Sequence, residues 1–273
     1  MTRLLIPALL ALHLGGAAAA REIGPEALDN LPVVDVVVLG EVHDNPAHHR
    51  NQARALRSIA PAAVVFEMLQ PEHAAALPED LSDAEAVEAA TQWEARGWPD
   101  FAMYHPLFTA VPGVRIYGGD VPRAKVREAA QAGAAAVFGD EAARFGLTRP
   151  YPDDLQAERE QDLLAAHCFA LPAEAMAGMV QAQRLRDAAL ARAALTALQE
   201  TGGPVAVITG AEHARTDIGV PALIRGAEPG VTVLSIGQVE RVPVGRPPYH
   251  LWILTDGVPS RGDPCAAFGS TEG

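Results

Sequence analysis

Two stretches far apart in the chain close an aliphatic run in the same way. Val33 to Leu39 leads into Gly40-Glu41-Val42-His43, and Pro204 to Thr209 leads into Gly210-Ala211-Glu212-His213. Each run delivers a carboxylate and an imidazole just past a glycine. A third run, Ala62 to Phe66, ends in Glu67, and a fourth, Val114 to Tyr117, ends in Gly118-Gly119-Asp120. Two neutral imidazoles with one or two carboxylates are a competent set for a divalent metal with open positions, and His43, His213 and Glu67 are the candidate ligands. The same groups, with Glu41 beside them, could instead run general acid–base chemistry without a metal, and the spacing leaves both open. A glutamate closing an apolar run is costly to bury alone, so Glu67 is expected to answer a cationic or protonated neighbour. No His-Glu-x-x-His helix, glycine-rich phosphate loop or Gly-x-Ser-x-Gly elbow occurs, which removes the usual support for zincin, nucleotide-binding and serine-hydrolase readings.

Rigid elements must hold those groups. Six of the seven residues from Val33 to Leu39 are aliphatic, five of them valine, which suits a strand covered on both faces, as in a parallel sheet. Ligands of open α/β sheets bind beyond the strands' carboxyl ends, where Glu41 and His43 fall. If the two Gly-x-x-His strands are parallel neighbours, both imidazoles face one crevice. Asn45 caps a helix running from Pro46 to Ile59, whose amino end offers unpaired N–H groups to the same crevice and places Arg50 to meet a carboxylate. His48 and His49, adjacent on that helix, read as solvated. Further helices are expected over Leu77–Arg96, Pro122–Ala132, Ala134–Phe145, Asp154–Phe169, Pro172–Glu200 and Thr216–Arg225. Closing strands are expected over Val231–Ile236 and Tyr249–Leu254, followed by a surface tail. The alternation predicts an α/β fold: a largely parallel sheet flanked by helices, one domain over 21–273 with a helical insertion at about 77–200.

The densest aromatic cluster, Trp93 to Phe108, suits core or a lid packed on the sheet, and within it Tyr104 and His105 are two candidate iron ligands beside flat apolar surface. Met176 and Met179, one helical turn apart, fit core filling or the lining of a cavity. Met1 to Ala20 reads as a secretory leader, with Arg3, a short apolar run and small residues before the cut. The protein is therefore expected in the periplasm, without a lipid anchor because no cysteine follows the cut. No later stretch is long enough to span a membrane. The net charge of −13 argues against a nucleic-acid partner. The only two cysteines, Cys168 and Cys265, are expected to pair in an oxidising compartment.

Gly40-Glu41-Val42-His43-Asp44-Asn45, Val65-Phe66-Glu67-Met68, Trp98 to Ala110 with Tyr104-His105-Pro106, Ala182 to Asp187, and Thr209 to Arg215 together resemble the ChaN-like haem-binding uptake family. That family shares a superfamily with the Tiki proteases, TraB proteins and erythromycin esterases. The resemblance implies an α/β core with a helical insertion, export across the inner membrane, and a role in bacterial haem or iron uptake. It implies haem as cofactor, bound through a tyrosine that matches Tyr104, with His105, Met176, Met179 and Arg184 around it, in a homodimer with stacked cofactors. From the enzymatic relatives it implies, as the alternative, a metal-dependent hydrolase using His43, Glu67 and His213, with Glu41 and Arg50 in support. Glu212 departs from the family's pattern, which has a smaller or neutral residue there.

Overall fold

The structure is a computed structural model that describes residues 20–263 and 265–266. The leader read over residues 1–20 lies, Ala20 apart, outside them. Seven strands form one sheet: β1 (Arg21–Glu22), β2 (Val36–Glu41), β3 (Ala63–Phe66), β4 (Arg115–Gly118), β5 (Val205–Gly210), β6 (Val233–Val239) and β7 (Leu251–Leu254). Their order is β1-β7-β6-β2-β5-β3-β4, and every pairing is parallel. The two Gly-x-x-His strands are neighbours, with Glu41 beside Gly210 in the register. Both are buried along their whole length, which is why they carry aliphatic side chains without polar alternation.

The period of two sorts these side chains to two cores. Val36, Val38, Val65, Val205 and Val207 face the long helix α8 (Met176–Thr201), whose Leu185, Leu190, Ala191 and Ala194 pack against them. Val37, Leu39, Val64, Phe66, Ala206 and Ile208 face α1 (Pro46–Ile59) and α4 (Phe101–Thr109). Phe66 and Phe108 stack there with ring centroids 4.5 Å apart. Asn45 caps α1 as its sequence predicts, its side chain accepting from Ala47 N–H at 2.9 Å.

Several elements differ from their expected form. The helix expected over Leu77–Arg96 is reduced to Ala84–Thr91 (α3) and a 3-10 turn, Glu94–Arg96, because Asp83 starts it and Gln92, at φ 51°, turns left-handed and ends it. A short helix, Pro71–Ala75 (α2), precedes it. Arg123–Ala132 (α5) is followed by Ala134–Phe138 (α6), which Gly139, at φ 84°, cuts short of Phe145. Asp153–Ala166 (α7) pairs with α8, and Val220–Ala227 (α9) starts four residues later than expected. The aromatic segment is itself the helix α4, with Phe101, Tyr104 and Phe108 buried on one side. The stretch between β3 and β5 is helical apart from β4, which it adds to the edge of the sheet. Cys168, just past α7, is disulfide-bonded to Cys265 in the tail. Among the described residues no helix is long and apolar enough to cross a membrane.

Candidate functional site

Strands β2, β5 and β3 are adjacent, so their carboxyl ends set Glu41, the turn after Gly210, and Glu67 in a row. Both glycines of the repeated motif are closely approached, Gly40 the more tightly. A Cβ on Gly40 would lie 2.8 Å from Ala214 Cβ and 3.0 Å from Ala211 Cα, where the turn after β5 crosses over. A Cβ on Gly210 would press on His43 Nε2 at 3.1 Å.

Glu67 is the centre. Its Oε2 accepts from the Thr209 hydroxyl and the Gly210 N–H, each at 2.7 Å. Its Oε1 faces His213 Nε2 at 3.4 Å, Arg186 Nη1 at 3.7 Å and His43 Nε2 at 3.9 Å. Burial alone would push this carboxyl up, but His213, His43 and the Gly210 amide together hold it well below the usual carboxylate range. The expected cationic partners of Glu67 are thus present.

Each imidazole has a second carboxylate on its far nitrogen. His213 Nδ1 lies 2.7 Å from Asp187 Oδ1, which α8 supplies. Burial opposes the charge on His213, yet Glu67 and Asp187 on its two sides raise it to about 10. Burial pushes the Asp187 carboxyl up, against the pull of His213 beside it. His43 Nδ1 lies 2.8 Å from Glu41 Oε1. Its side chain is 34% exposed, against 9% for His213, and it meets the edge of Trp98 with ring centroids 5.2 Å apart. Burial lowers the His43 ring's affinity for protons, but Glu41 and Glu67 outweigh this and raise it.

Behind His43 stands a second layer, to which Glu41, Tyr104, His49 and His48 belong. Glu41 is buried; Tyr104 donates to its Oε1 at 2.5 Å, and His49 Nδ1 lies 3.3 Å from its Oε2. Burial raises this carboxyl, and the hydrogen bonds from His43 and His49 more than reverse that, to about 2. His49 Nε2 donates to the His43 carbonyl at 2.9 Å. His48 Nδ1 accepts from Val42 N–H at 2.8 Å, so its proton sits on Nε2 and is donated to the Thr255 hydroxyl at 2.7 Å. The ring is neutral, and burial takes it down to about 4. Both histidines were expected in solvent; both are buried.

The structure therefore brings His43, Glu67, His213 and Glu41 together and adds Asp187, Arg186 and His49. Arg186 and Asp187 had one visible signal, a charged pair interrupting an otherwise apolar helical stripe. The residues matched to a cofactor are scattered. Tyr104 is fully buried beneath Glu41, its phenol oxygen donating to Glu41 and 3.1 Å from the His43 carbonyl. Burial and Glu41 together push its ionisation up, away from the phenolate. His105 faces the Leu81 carbonyl at 2.9 Å. Met176 is buried between α7 and α8 with Met179 beside it. Arg184 is buried, donating to the Gly146 and Arg149 carbonyls and lying over the Tyr151 ring. Arg50 is exposed on α1 and makes no ion pair among the described residues. Asp120 pairs with Arg96, apart from the cluster. Glu212 turns outward to Arg159, its side chain 63% exposed.

Among the described residues, no group of three or more His, Cys, Asp or Glu is placed so that it could hold a metal ion.

The family model for haem-binding uptake proteins of the Tiki superfamily, ChaN, matches residues 27–224. No curated protein matches the chain. Among solved structures, the chain is similar to ChaN of Campylobacter jejuni, described as showing cofacial heme binding, with a TM-score of 0.56 and 15% identity over 83% of this chain and 88% of that one. The type III effector HopBA1 is similar at a TM-score of 0.46, with 16% identity over 86% of this chain and 94% of that one.

Proposed function

Because the chain belongs to the haem-binding uptake family of the Tiki superfamily that includes ChaN, we propose that it binds haem at the carboxyl edge of its sheet and serves in haem or iron uptake. The observation that carries this reading is the family match itself, which runs from residue 27 to 224 and so takes in β2, β3, β5 and every residue of the polar cluster. The site supports it. His43 is the imidazole of the cluster most open to the outside, it has an indole beside it, and a carboxylate stands on its Nδ1. A carboxylate there fixes the tautomer of a ligating ring and strengthens its other nitrogen as a ligand. His43 Nε2 would hold the iron and Trp98 would wall the macrocycle, with Tyr104 and His49 steadying Glu41 behind them. Haem, when bound, supplies an iron centre with a strong visible spectrum. The same reading puts the protein outside the cytoplasm, where the Cys168–Cys265 bridge would persist. The cofacial haems of the Campylobacter jejuni protein support a pairing of two copies.

Titration with haemin tests it. A saturable Soret change is expected, weakened at least about tenfold in His43→Ala and unchanged in shape in Tyr104→Phe, which follows from the loss of an axial ligand in the first and not the second. No saturable change in the wild type would end the reading.

One observation favours a second function. Two imidazoles, each backed by a carboxylate, converge on a single Glu67 oxygen, which is an arrangement for moving protons in hydrolysis. On that reading Glu67→Gln lowers turnover of an ester or amide by about 10²-fold or more, and a screen of both substrate classes with no turnover would remove it.

A further inference from the structure

A crevice of about 450 Å³ borders the polar cluster, lined by Gln70, His73, Arg96, Trp98, Arg123 and Arg186 among others. Its inner end is the cluster itself, because Trp98 touches His43 and Arg186 reaches toward Glu67. Three guanidinium groups line it against one carboxylate, Asp120, in a chain whose net charge is −13.

The three cations are not equally engaged. Arg96 is used inside the fold, donating to Asp120 and to the Met68 carbonyl. Gln70 also donates to Asp120, at 3.2 Å, so that carboxylate is satisfied. Arg123 uses one nitrogen on the Arg96 carbonyl, at 2.7 Å. Arg186 has no hydrogen bond among the described residues. Its one ion pair is the 3.7 Å approach to Glu67, whose oxygens are already engaged by Thr209, Gly210 and His213, and its side chain is 28% exposed. An arginine fork with free N–H groups beside an indole face matches a flat apolar body carrying a carboxylate: the fork takes the two oxygens and the indole takes the ring. The volume lies within the range of small-molecule sites.

We propose that this crevice is a carboxylate-recognition subsite, with Arg186 as the anchor, Arg123 in support, and Trp98 as the wall for a planar ligand. It deepens the haem reading and rests on it for the natural ligand, since the propionates of haem are carboxylates on a planar body. The subsite itself is tested without haem. Trp93 and Trp252 are buried, so quenching by an added ligand reads Trp98, and Trp98→Phe should abolish the signal. The full-length protein is titrated with 2-naphthoate and with its uncharged methyl ester. Saturable quenching is expected, with the acid bound at least about tenfold more tightly than the ester, as one charge-assisted fork would give. Arg186→Gln should erase that preference, whereas Arg127→Gln, an exposed residue on α5 outside the crevice, should keep it. If near-ultraviolet circular dichroism shows Arg186→Gln to be misfolded, Arg123→Gln is used in its place and should reduce the preference severalfold. Equal affinity for acid and ester, no saturable quenching, or a preference that survives in the folded variant would each overturn the proposal. Haemin and its dimethyl ester then separate the two claims. Equal binding of both removes the subsite and leaves haem binding standing, whereas a naphthoate preference without any haemin binding removes the haem reading and leaves the subsite.

Discussion

His43, His48 and His49 share one short stretch yet sit in three electrostatic settings. His43 faces the crevice on a carboxylate, His49 is buried against the same carboxylate, and His48 is a neutral peg between Val42 and Thr255. Opposite signs of pH dependence follow. Glu41, lowered to about 2, contributes stability that is fully present above its ordinary 4.5 and is lost as pH falls toward 2. His213, raised to about 10, contributes stability fully present below its ordinary 6.5 and lost as pH rises toward 10. His48, lowered to about 4, removes stability as pH falls from 6.5 toward 4. Urea midpoints should therefore decline on both sides of the neutral to mildly acid range. In Asp187→Asn the alkaline decline should be smaller and end nearer neutrality, because His213 loses one of its two carboxylates; an unmoved His213 titration by NMR would contradict this. Tyr104→Phe removes a buried donor to a charged acceptor and should cost about 1.5–3 kcal/mol in urea melts. The residues that end strands were legible because they interrupt aliphatic runs. His49 was not, because it reaches the site from a helix whose packing depends on contacts distant in sequence, and Asp187 showed only as a charge interrupting an apolar helical stripe.

Strands and their neighbours came through the sequence well, and short helices poorly, for a shared physical reason. β2 and β5 are buried on both faces, so their composition is nearly forced. The Gly-x-x-His repeat marks their adjacency because the turn after β5 must cross over the end of β2. Gly40→Ala should accordingly cost about 1–3 kcal/mol by overpacking, visible as a lowered urea midpoint at an unchanged slope. The segment after β3 carries good helix formers, but caps and left-handed residues such as Gln92 and Gly139 decide its ends, and a composition of alanine and glutamate does not display them. At the spacing of Phe101 and Phe108, Tyr104 lies on the buried stripe of α4, and that periodicity is readable in the sequence. The tail is pinned more firmly than its Gly- and Pro-rich composition suggests. Arg261 bridges Asp44 and Glu240, and Cys265 is bonded to Cys168. The bridge spans a sequence separation of 97, for which the chain-entropy view gives about 4–5 kcal/mol of stabilisation, an upper figure for many real bridges. Replacing both cysteines with serine should lower the urea midpoint accordingly, and an unchanged midpoint would show that the rest of the tail suffices.

At the scale of the whole molecule, the strand order sets a schedule for how the protein comes into being. The central strand β2 is made early, but its neighbours are β5 and β6, and the next strand made, β3, pairs only with β4 and β5. A growing chain therefore holds an aliphatic strand with both ladders open until Val205–Gly210 has been synthesised, on the order of ten seconds or more at about 5–20 residues per second. Unpaired strands of this composition are templates for association between chains. A fragment ending before β5 should fail to form a protease-resistant core. Refolding yield of the full chain should fall steeply with protein concentration and recover when a holdase chaperone is supplied. Until then there is no polar cluster at all, since His43 and Glu67 follow strands that only β5 can bring side by side, and β5 leads directly into the turn that carries His213.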